Sequence, residues 1–303
     1  MLIHILKKIA ILISSLWIVI TITFFLVHAL PGDPFTPELP LSEEVAAAMR
    51  RQHGLDQPVL VQYINYLKNL AQGELGPSMR YEGQTVQGII ASSFPISALL
   101  GMQALLIAVT AGISLGIVGT LRRGGWQEKG ILLLTTLGIS LPSAILAILL
   151  QYFFGFKWEL LPIACWGSFA QTLLPSLSLA AIPTVSIARF FQSRLVEVLQ
   201  QDYILIARSK GLSEMRTLIF HAMPNALLAV LTYLGPLIAH ILMGSFIVEK
   251  VYAIPGLGQW FVSSISNNDY TVTMGLTLFY GALLMFSTFL FDLLQYWLDP
   301  RRS

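Results

Sequence analysis

Charge is what this chain lacks: Asp, Glu, Lys and Arg make up only 11% of its 303 residues, whereas soluble domains carry about a quarter. The few charges cluster between long uncharged runs, 55% of the residues are hydrophobic, and the mean hydropathy is +0.71. That distribution excludes a soluble protein with a greasy core and implies an integral membrane protein. Cysteine is scarce too. Cys165 stands alone, so no intrachain disulfide can form, and without a histidine cluster beside it no metal site is expected. No G-x-x-x-x-G-K-[ST] loop occurs, and Gly256-x-Gly258 lacks the third glycine and the strand–helix context of a dinucleotide site. The chain is not expected to bind ATP itself. No Ser/His/Asp arrangement stands out, and Gly244-Ser245 reads as close helix packing rather than a protease nucleophile. The expectation is a non-enzyme whose surroundings are a lipid bilayer, with no nucleic acid as partner.

What is present is about six apolar runs, each near the ~20 residues that a helical span needs. They fall at 9–30, 96–121, 131–154, 173–191, 226–248 and 272–294. The first begins after Lys7 and Lys8 as a secretory signal would, but its apolar run is too long, and the stiff Pro31-Gly32-Asp33-Pro34 turn replaces a cleavage site. With a cytoplasmic amino terminus, the inside segments hold Lys7, Lys8, Arg122, Arg123, Lys129, Arg189, Arg194, Arg208, Lys210, Arg216, Arg301 and Arg302, about twelve of the 18 basic residues. The positive-inside bias therefore puts both termini in the cytoplasm. The net charge of +2 carries little meaning beside that asymmetry.

The outer loop, 31–95, is the largest polar region. Ser42, Glu43 and Glu44 followed by Arg50, Arg51 and Gly54 predict a capped helix whose charges complement its dipole. After Pro58 a second helix is expected, with Val61, Ile64, Tyr66, Leu67 and Leu70 as its apolar face against the membrane surface or the protein's outer rim. The loop reads either as a structural cap or as a docking surface for an external partner. Between the last two spans lies Tyr252-Ala253-Ile254-Pro255-Gly256-Leu257-Gly258-Gln259-Trp260-Phe261, where Pro255, Gly256 and Gly258 end a helix. Two readings are open: an interfacial turn anchored by Tyr252 and Trp260, or a re-entrant segment at the outer mouth of a pathway. Ionisable residues within spans cost about 2.5 to 3.5 kcal/mol each. His240, near the middle of the fifth span, is therefore either a neutral imidazole bonded across a helix contact or a pathway-lining group.

The richest segment is Asp202-Tyr203-Ile204-Leu205-Ile206-Ala207-Arg208-Ser209-Lys210-Gly211-Leu212, a short basic helix between two apolar spans. Asp202 is expected as its N-cap and Gly211 as its left-handed terminator, with Lys210 at the negative end of the dipole. Periodicity places Tyr203, Ile206, Ala207 and Lys210 on one stripe and Leu205, Arg208 and Ser209 on another. Apolar and cationic contacts are offered together, as a handle for another protein would offer them.

Nearly the whole chain resembles the permease subunits of binding-protein-dependent ABC importers, in the dipeptide/oligopeptide/nickel branch. The resemblance runs through Leu30-Pro31-Gly32-Asp33-Pro34, Gly54-Leu55-Asp56-Gln57-Pro58, Gly73-Glu74-Leu75-Gly76, Leu121-Arg122-Arg123-Gly124, Ser140-Leu141-Pro142-Ser143, Pro255-Gly256-Leu257-Gly258 and Leu298-Asp299-Pro300-Arg301. The family signature E-A-A-x-x-x-G, followed by I-x-L-P, aligns with the handle. Ala207 matches its second alanine, Gly211 its glycine and Pro224 its proline, while Leu205, Ile206, His221 and Met223 depart from it. Asp202, Tyr203, Ala207, Arg208, Lys210, Gly211 and Leu212 fit the peptide-type variant D-Y-x-x-x-A-R-x-K-G-L. The resemblance implies an all-α integral membrane protein, a bundle of about six transmembrane helices forming a single permease domain over 1–303. The stretch 193–225 would be a cytoplasmic coupling loop whose helix docks into an ATPase subunit. It further implies a related second permease, two ATPases carrying ATP and Mg, an extracytoplasmic binding protein, and a bacterial plasma (inner) membrane location. Peptides are the implied cargo, with nickel chelates or glutathione as lesser possibilities and a non-transporting membrane scaffold as the alternative class. Pro255, Gly256, Gly258 and Trp260 would form an outer docking surface or gate.

Overall fold

The computed structural model describes residues 2–29, 35 and 43–298. Among these residues regular structure is helical, apart from an isolated bridge between Pro77 and Thr85. In chain order the helices are α1 (Leu2–Ala29), α2 (Glu43–Gln52), α3 (Val59–Ala71), α4 (Val86–Leu121), α5 (Trp126–Ser140), α6 (Ser143–Leu150), α7 (Phe169–Leu199), α8 (Asp202–Ser209), α9 (Glu214–Thr217), α10 (Met223–Leu242), α11 (Phe246–Val251), α12 (Leu257–Ser266) and α13 (Tyr270–Leu298). Wider π-helical turns occupy Gln151–Lys157 and Leu218–Ala222. The Pro31-Gly32-Asp33-Pro34 turn, the cap expected at Ser42, the closing Asp299-Pro300-Arg301 and Ser303 lie outside the described residues.

Five helices are long and apolar enough to cross a membrane: Lys7–Ala29, Val86–Leu121, Phe169–Leu199, Glu214–Val251 and Tyr270–Trp297. The expected span at 131–154 is instead a pair, Trp126–Gly138 and Ser143–Lys157, bent by 104°. Pro142 explains the break, because the residue before a proline is pushed out of the helical region; Leu141 is extended, at φ −87° and ψ 121°. The second span begins at Val86 rather than 96. Thr85 caps it, its hydroxyl accepting the Gly88 N–H at 3.1 Å, and Pro95 is carried inside the helix. The fourth runs on to Leu199. The fifth is interrupted, since α10 ends at Leu242 and Gly244 adopts φ +79°. Ser245 then caps α11 by accepting the Val248 N–H at 3.4 Å. Gly244-Ser245 is thus a break and a cap, not a close-packing pair, because a left-handed residue cannot continue a helix.

The chain divides into two compact units, Met1–Ser97 with Pro255–Met285 and Ala98–Ile254 with Phe286–Ser303, so the division falls within α4 and α13. In the first unit Phe24 and Val27 of α1 pack with Tyr270 and Met274 of α13, against Tyr63, Tyr66 and Met79. The inward face of α3 is therefore the Tyr63–Tyr66 side. Val61 and Ile64, expected on a face against the membrane surface or the protein's outer rim, are exposed, and the tyrosine pair facing the Phe24 ring sets the helix rotation. Asp269 anchors the following loop. Fully buried, it accepts the Ser78 hydroxyl, the Met79 N–H at 3.2 Å and the Val272 N–H at 3.2 Å. Arg80 adds a bond from Nε to the Asn267 carbonyl at 2.8 Å.

In the second unit the core joins Ala104 and Ala108 of α4 to Ile187 and Phe191 of α7, and to Ala226 and Val230 of α10. Glycines let α4 approach α7 closely. A Cβ on Gly112 would lie 2.9 Å from Ile187 side-chain atoms, and one on Gly116 would lie 2.9 Å from the Phe191 ring and 3.0 Å from the Ala188 carbonyl. Arg189 of α7 donates to Thr136 of α5 at 2.8 Å. Tyr252 is a core residue rather than a member of an aromatic belt. It is 1% exposed, and its hydroxyl donates to the Ala147 carbonyl at 2.9 Å while Ser178 lies 3.1 Å away.

Two outcomes are expected. We predict that Asp269→Ala leaves one hydroxyl and two amides short of an acceptor, at about 1–3 kcal/mol per group, and raises proteolysis around Ser78–Gln84; Asp269→Asn should lose less. Equal cleavage of wild type and Asp269→Ala would refute this. We also predict that Gly116→Val overpacks the α4–α7 contact by about 1–3 kcal/mol and lowers the thermal midpoint of the detergent-solubilised protein, whereas an unchanged midpoint would show that the seam yields freely.

Candidate functional site

The first candidate is built around α8. Gln201, extended at φ −75° and ψ 149°, occupies the N-cap position, so Asp202 is the first helical residue and not the cap. Its carboxylate still favours the positive end of the dipole. The far end closes as expected and more completely. Lys210 is the C-cap, Gly211 adopts φ +83°, the Gly211 N–H donates to the Arg208 carbonyl at 2.9 Å, and the Leu212 N–H donates to the Ala207 carbonyl at 3.3 Å. This pair of bonds is a Schellman motif, which satisfies two orphan carbonyls and fixes the exit of the chain.

Burial divides the faces differently from the expected stripes. Ile204 and Ala207 point inward, Ile204 entering the core cluster with Tyr203 packed against it. Asn225 of α10 donates to the Tyr203 hydroxyl at 3.1 Å. Leu205 and Ile206 are 52% and 55% exposed, and Arg208, Ser209 and Lys210 are exposed beside them. The expected pairing of Ile206 with Ala207 therefore fails: α8 is tethered by Ile204, and Ile206 faces outward. Met215, Ile219 and Phe220, beyond α8 in the chain, are exposed as well. Ser213 caps α9, accepting the Arg216 N–H at 3.4 Å. Pro224 sits in the first turn of α10, directly after a π-turn in which the Met223 N–H reaches back to the Leu218 carbonyl. That wider turn makes room for a proline ring where a regular helix would clash.

The remaining candidates are placed as follows. Pro255 and Gly256 lead into α12, with Gly256 as its N-cap residue and the Leu257 N–H donating to the Ser97 hydroxyl at 2.8 Å. Gly258 is buried in the first turn, and Trp260 packs edge-on against Tyr81 at 5.1 Å. The stretch after Pro255 is thus a short helix rather than a simple turn. His240 is in the last turn of α10 and exposed.

Sequence reasoning missed Asp269 as an anchor; the Asn267-Asn268-Asp269 run before an apolar stretch is an N-cap signal that could have found it. Near it, a cavity of about 510 Å³ is lined by Arg51, His53, Gln62, Asn65, Asn69 and Glu74 among others. Burial holds the His53 imidazole below its ordinary pKa, against the opposing pull of Asp269. Burial also pushes the Tyr66 phenol up to about 12. Among the described residues no group of three His, Cys, Asp or Glu side chains is placed to hold a metal ion.

Comparison with known proteins fits this arrangement. Residues 108–303 match the family described as binding-protein-dependent transport system inner membrane component, and residues 1–100 match its N-terminal companion. The chain is 42% identical over 298 residues to the dipeptide transport system permease protein DppB of Bacillus subtilis, covering 98% of this chain and 97% of the relative. It is 38% identical over 299 residues to DppB of Lactococcus lactis, covering 98% of each. With the oligopeptide transport system permease protein OppB of Salmonella typhimurium it shares 38% over 291 residues, 95% of each. An all-helical, multi-pass chain matched to this family over most of its length belongs to the inner-membrane permeases of binding-protein-dependent ABC importers.

Proposed function

We propose that this permease pairs with a related second permease to form a pathway for short peptides, driven by two cytoplasmic ATPases that carry ATP and Mg and supplied by an extracytoplasmic binding protein. The observation that carries the coupling role is α8, a short helix pinned inward by Ile204 and closed by Gly211, with Leu205, Ile206 and Arg208 presented outward. A tethered helix of this kind transmits displacement as a lever, because its core contacts move with it. ATP-driven closure of the ATPase pair would then switch the spans between inward-open and outward-open states. The names of the relatives support peptides as cargo. The sparse charge of the spans favours a pathway of weak contacts, with selection left to the binding protein; a ligand held equally in both states would not be released by the switch. Within this reading Asp202, Tyr203, Ala207, Arg208, Lys210, Gly211, Leu212 and Pro224 build the coupling element. Pro255, Gly256, Gly258 and Trp260 shape the outer docking face, and exposed His240 is a pathway-facing group. Both termini are cytoplasmic and the loop around α2 and α3 is outside, in keeping with the positive-inside bias.

Two experiments test the reading. In a Cys165→Ser background, Glu44→Cys should react with an impermeant thiol reagent applied to intact cells and Ser209→Cys should not; the reverse pattern would overturn the topology. For coupling, no atom lies within 4 Å of where a Gly211 Cβ would sit, so only backbone strain opposes substitution. Gly211→Val, strained by about 1–2 kcal/mol, should insert normally and lose peptide uptake in vesicles by about tenfold. Gly211→Asn, which tolerates the left-handed region, should retain uptake. Equal uptake by Gly211→Val and wild type would remove α8 from the coupling path, and absence of ATP-driven uptake from the wild-type complex would favour the scaffold.

A further inference from the structure

Helix α3 carries three distinct faces. Tyr63, Tyr66 and Leu70 share the face turned to α1 and α13, where both tyrosine rings meet Phe24. Gln62, Asn65 and Asn69 share the flank that lines the 510 Å³ cavity. On the opposite flank the three-and-four spacing groups Leu60, Ile64, Leu67 and Ala71, with Leu60 66% and Ile64 56% exposed. A helix facing water on both flanks would have no reason to make one amide-rich and the other apolar.

The depth of α3 along α1 says what lies against that apolar flank. The Tyr63 hydroxyl is 2.7 Å from Thr21 Oγ1, and Gln62 Oε1 is 3.0 Å from His28 Nε2. Thr21 precedes His28 by seven residues, so Tyr63 reaches about 10 Å down the span at 1.5 Å per residue. Between these two contacts α1 presents Ile22, Phe25 and Leu26, all exposed and apolar, and Phe25 packs against Tyr63 at 5.5 Å. The exposed flank of α3 therefore continues the exposed apolar surface of a membrane-spanning helix, at the level of its last two turns. An amphipathic helix at that depth has its apolar side in the headgroup–acyl boundary.

We propose that α3 is an interfacial helix that inserts Leu60, Ile64 and Leu67 into the lipid leaflet at the C-terminal end of α1, so that the bilayer is a direct structural partner of the cap. That this leaflet is the outer one rests on the topology proposed above; the insertion does not. Its consequence is that the cap is held at a fixed height by lipid on one flank, while the amides of the other flank stay hydrated around the cavity.

The test is depth measurement on the assembled transporter in phosphatidylethanolamine–phosphatidylglycerol vesicles. In the Cys165→Ser background, nitroxides are attached at Leu60→Cys, Ile64→Cys, Asn65→Cys and Asn69→Cys, with Ile22→Cys as lipid reference and Glu82→Cys as water reference. The expected result is that labels at 60 and 64 relax with oxygen as the label at 22 does, and are protected several-fold from a water-soluble nickel chelate relative to those at 65 and 69. Chelate access at 60 and 64 equal to that at 65 would overturn the proposal in favour of a water-facing docking surface. Protection from both oxygen and chelate would overturn it in favour of burial against a partner protein. None of these readouts depends on transport, and peptide uptake by the same vesicles reports separately on the proposed function.

Discussion

In hydrocarbon, every backbone N–H and C=O must find its partner inside the protein, and this constraint shapes each departure from regular helix in the chain. The prolines show it most clearly. Pro142 breaks a span outright, and the chain turns by 104° there. Pro175, Pro183 and Pro236 are carried within helices instead, each forfeiting one bond in a packed segment. Pro224 is accommodated by the π-turn before it, which re-pairs the Met223 N–H with the Leu218 carbonyl. At Gly244 the interruption is resolved by a serine cap, so that α11 can begin immediately.

The same need for paired groups governs helix ends outside the spans. Helices α2, α3 and α8 all finish with a glycine of positive φ, at Gly54, Gly73 and Gly211. In each, the glycine N–H and the following N–H return to carbonyls of the last turn, as in Gly54 to Arg51 and Leu55 to Arg50. Such endings set the direction in which the chain leaves. For α8 that direction bears on the coupling role proposed for it, because a helix proposed to transmit force needs ends as well defined as its middle.

The cap around α3 and the α8 region solve a common problem by different means. Each is a short amphipathic element that could not be stable as an isolated helix in water. Helix α8 is secured through Ile204 and the Tyr203–Asn225 bond, leaving Leu205 and Ile206 exposed on its other side. Helix α3 is secured through two tyrosines on Phe24, leaving an exposed apolar flank at Leu60 and Ile64. Asp269 ties the loop after α3 to the start of α13, its buried carboxylate satisfied locally by three donors.

Composition and periodicity alone determined the membrane class, the approximate spans, the charge asymmetry and the terminator at Gly211, since each follows from local chemistry: apolar length, Lys and Arg placement, and the freedom of glycine at positive φ. The family signature was legible as well, for it lies in contiguous residues. What sequence left undecided was rotation and depth. Spacing could not tell whether Ile204 or Ile206 of α8 faces the core, or whether Tyr63 or Ile64 of α3 does, because both candidates are apolar and one or two residues apart. Tyr252 looked interfacial by residue type and is buried, since a hydroxyl suited to a membrane surface also suits the Ala147 carbonyl and Ser178. Those choices were made by tertiary structure, because they depend on which distant side chain supplies the matching surface.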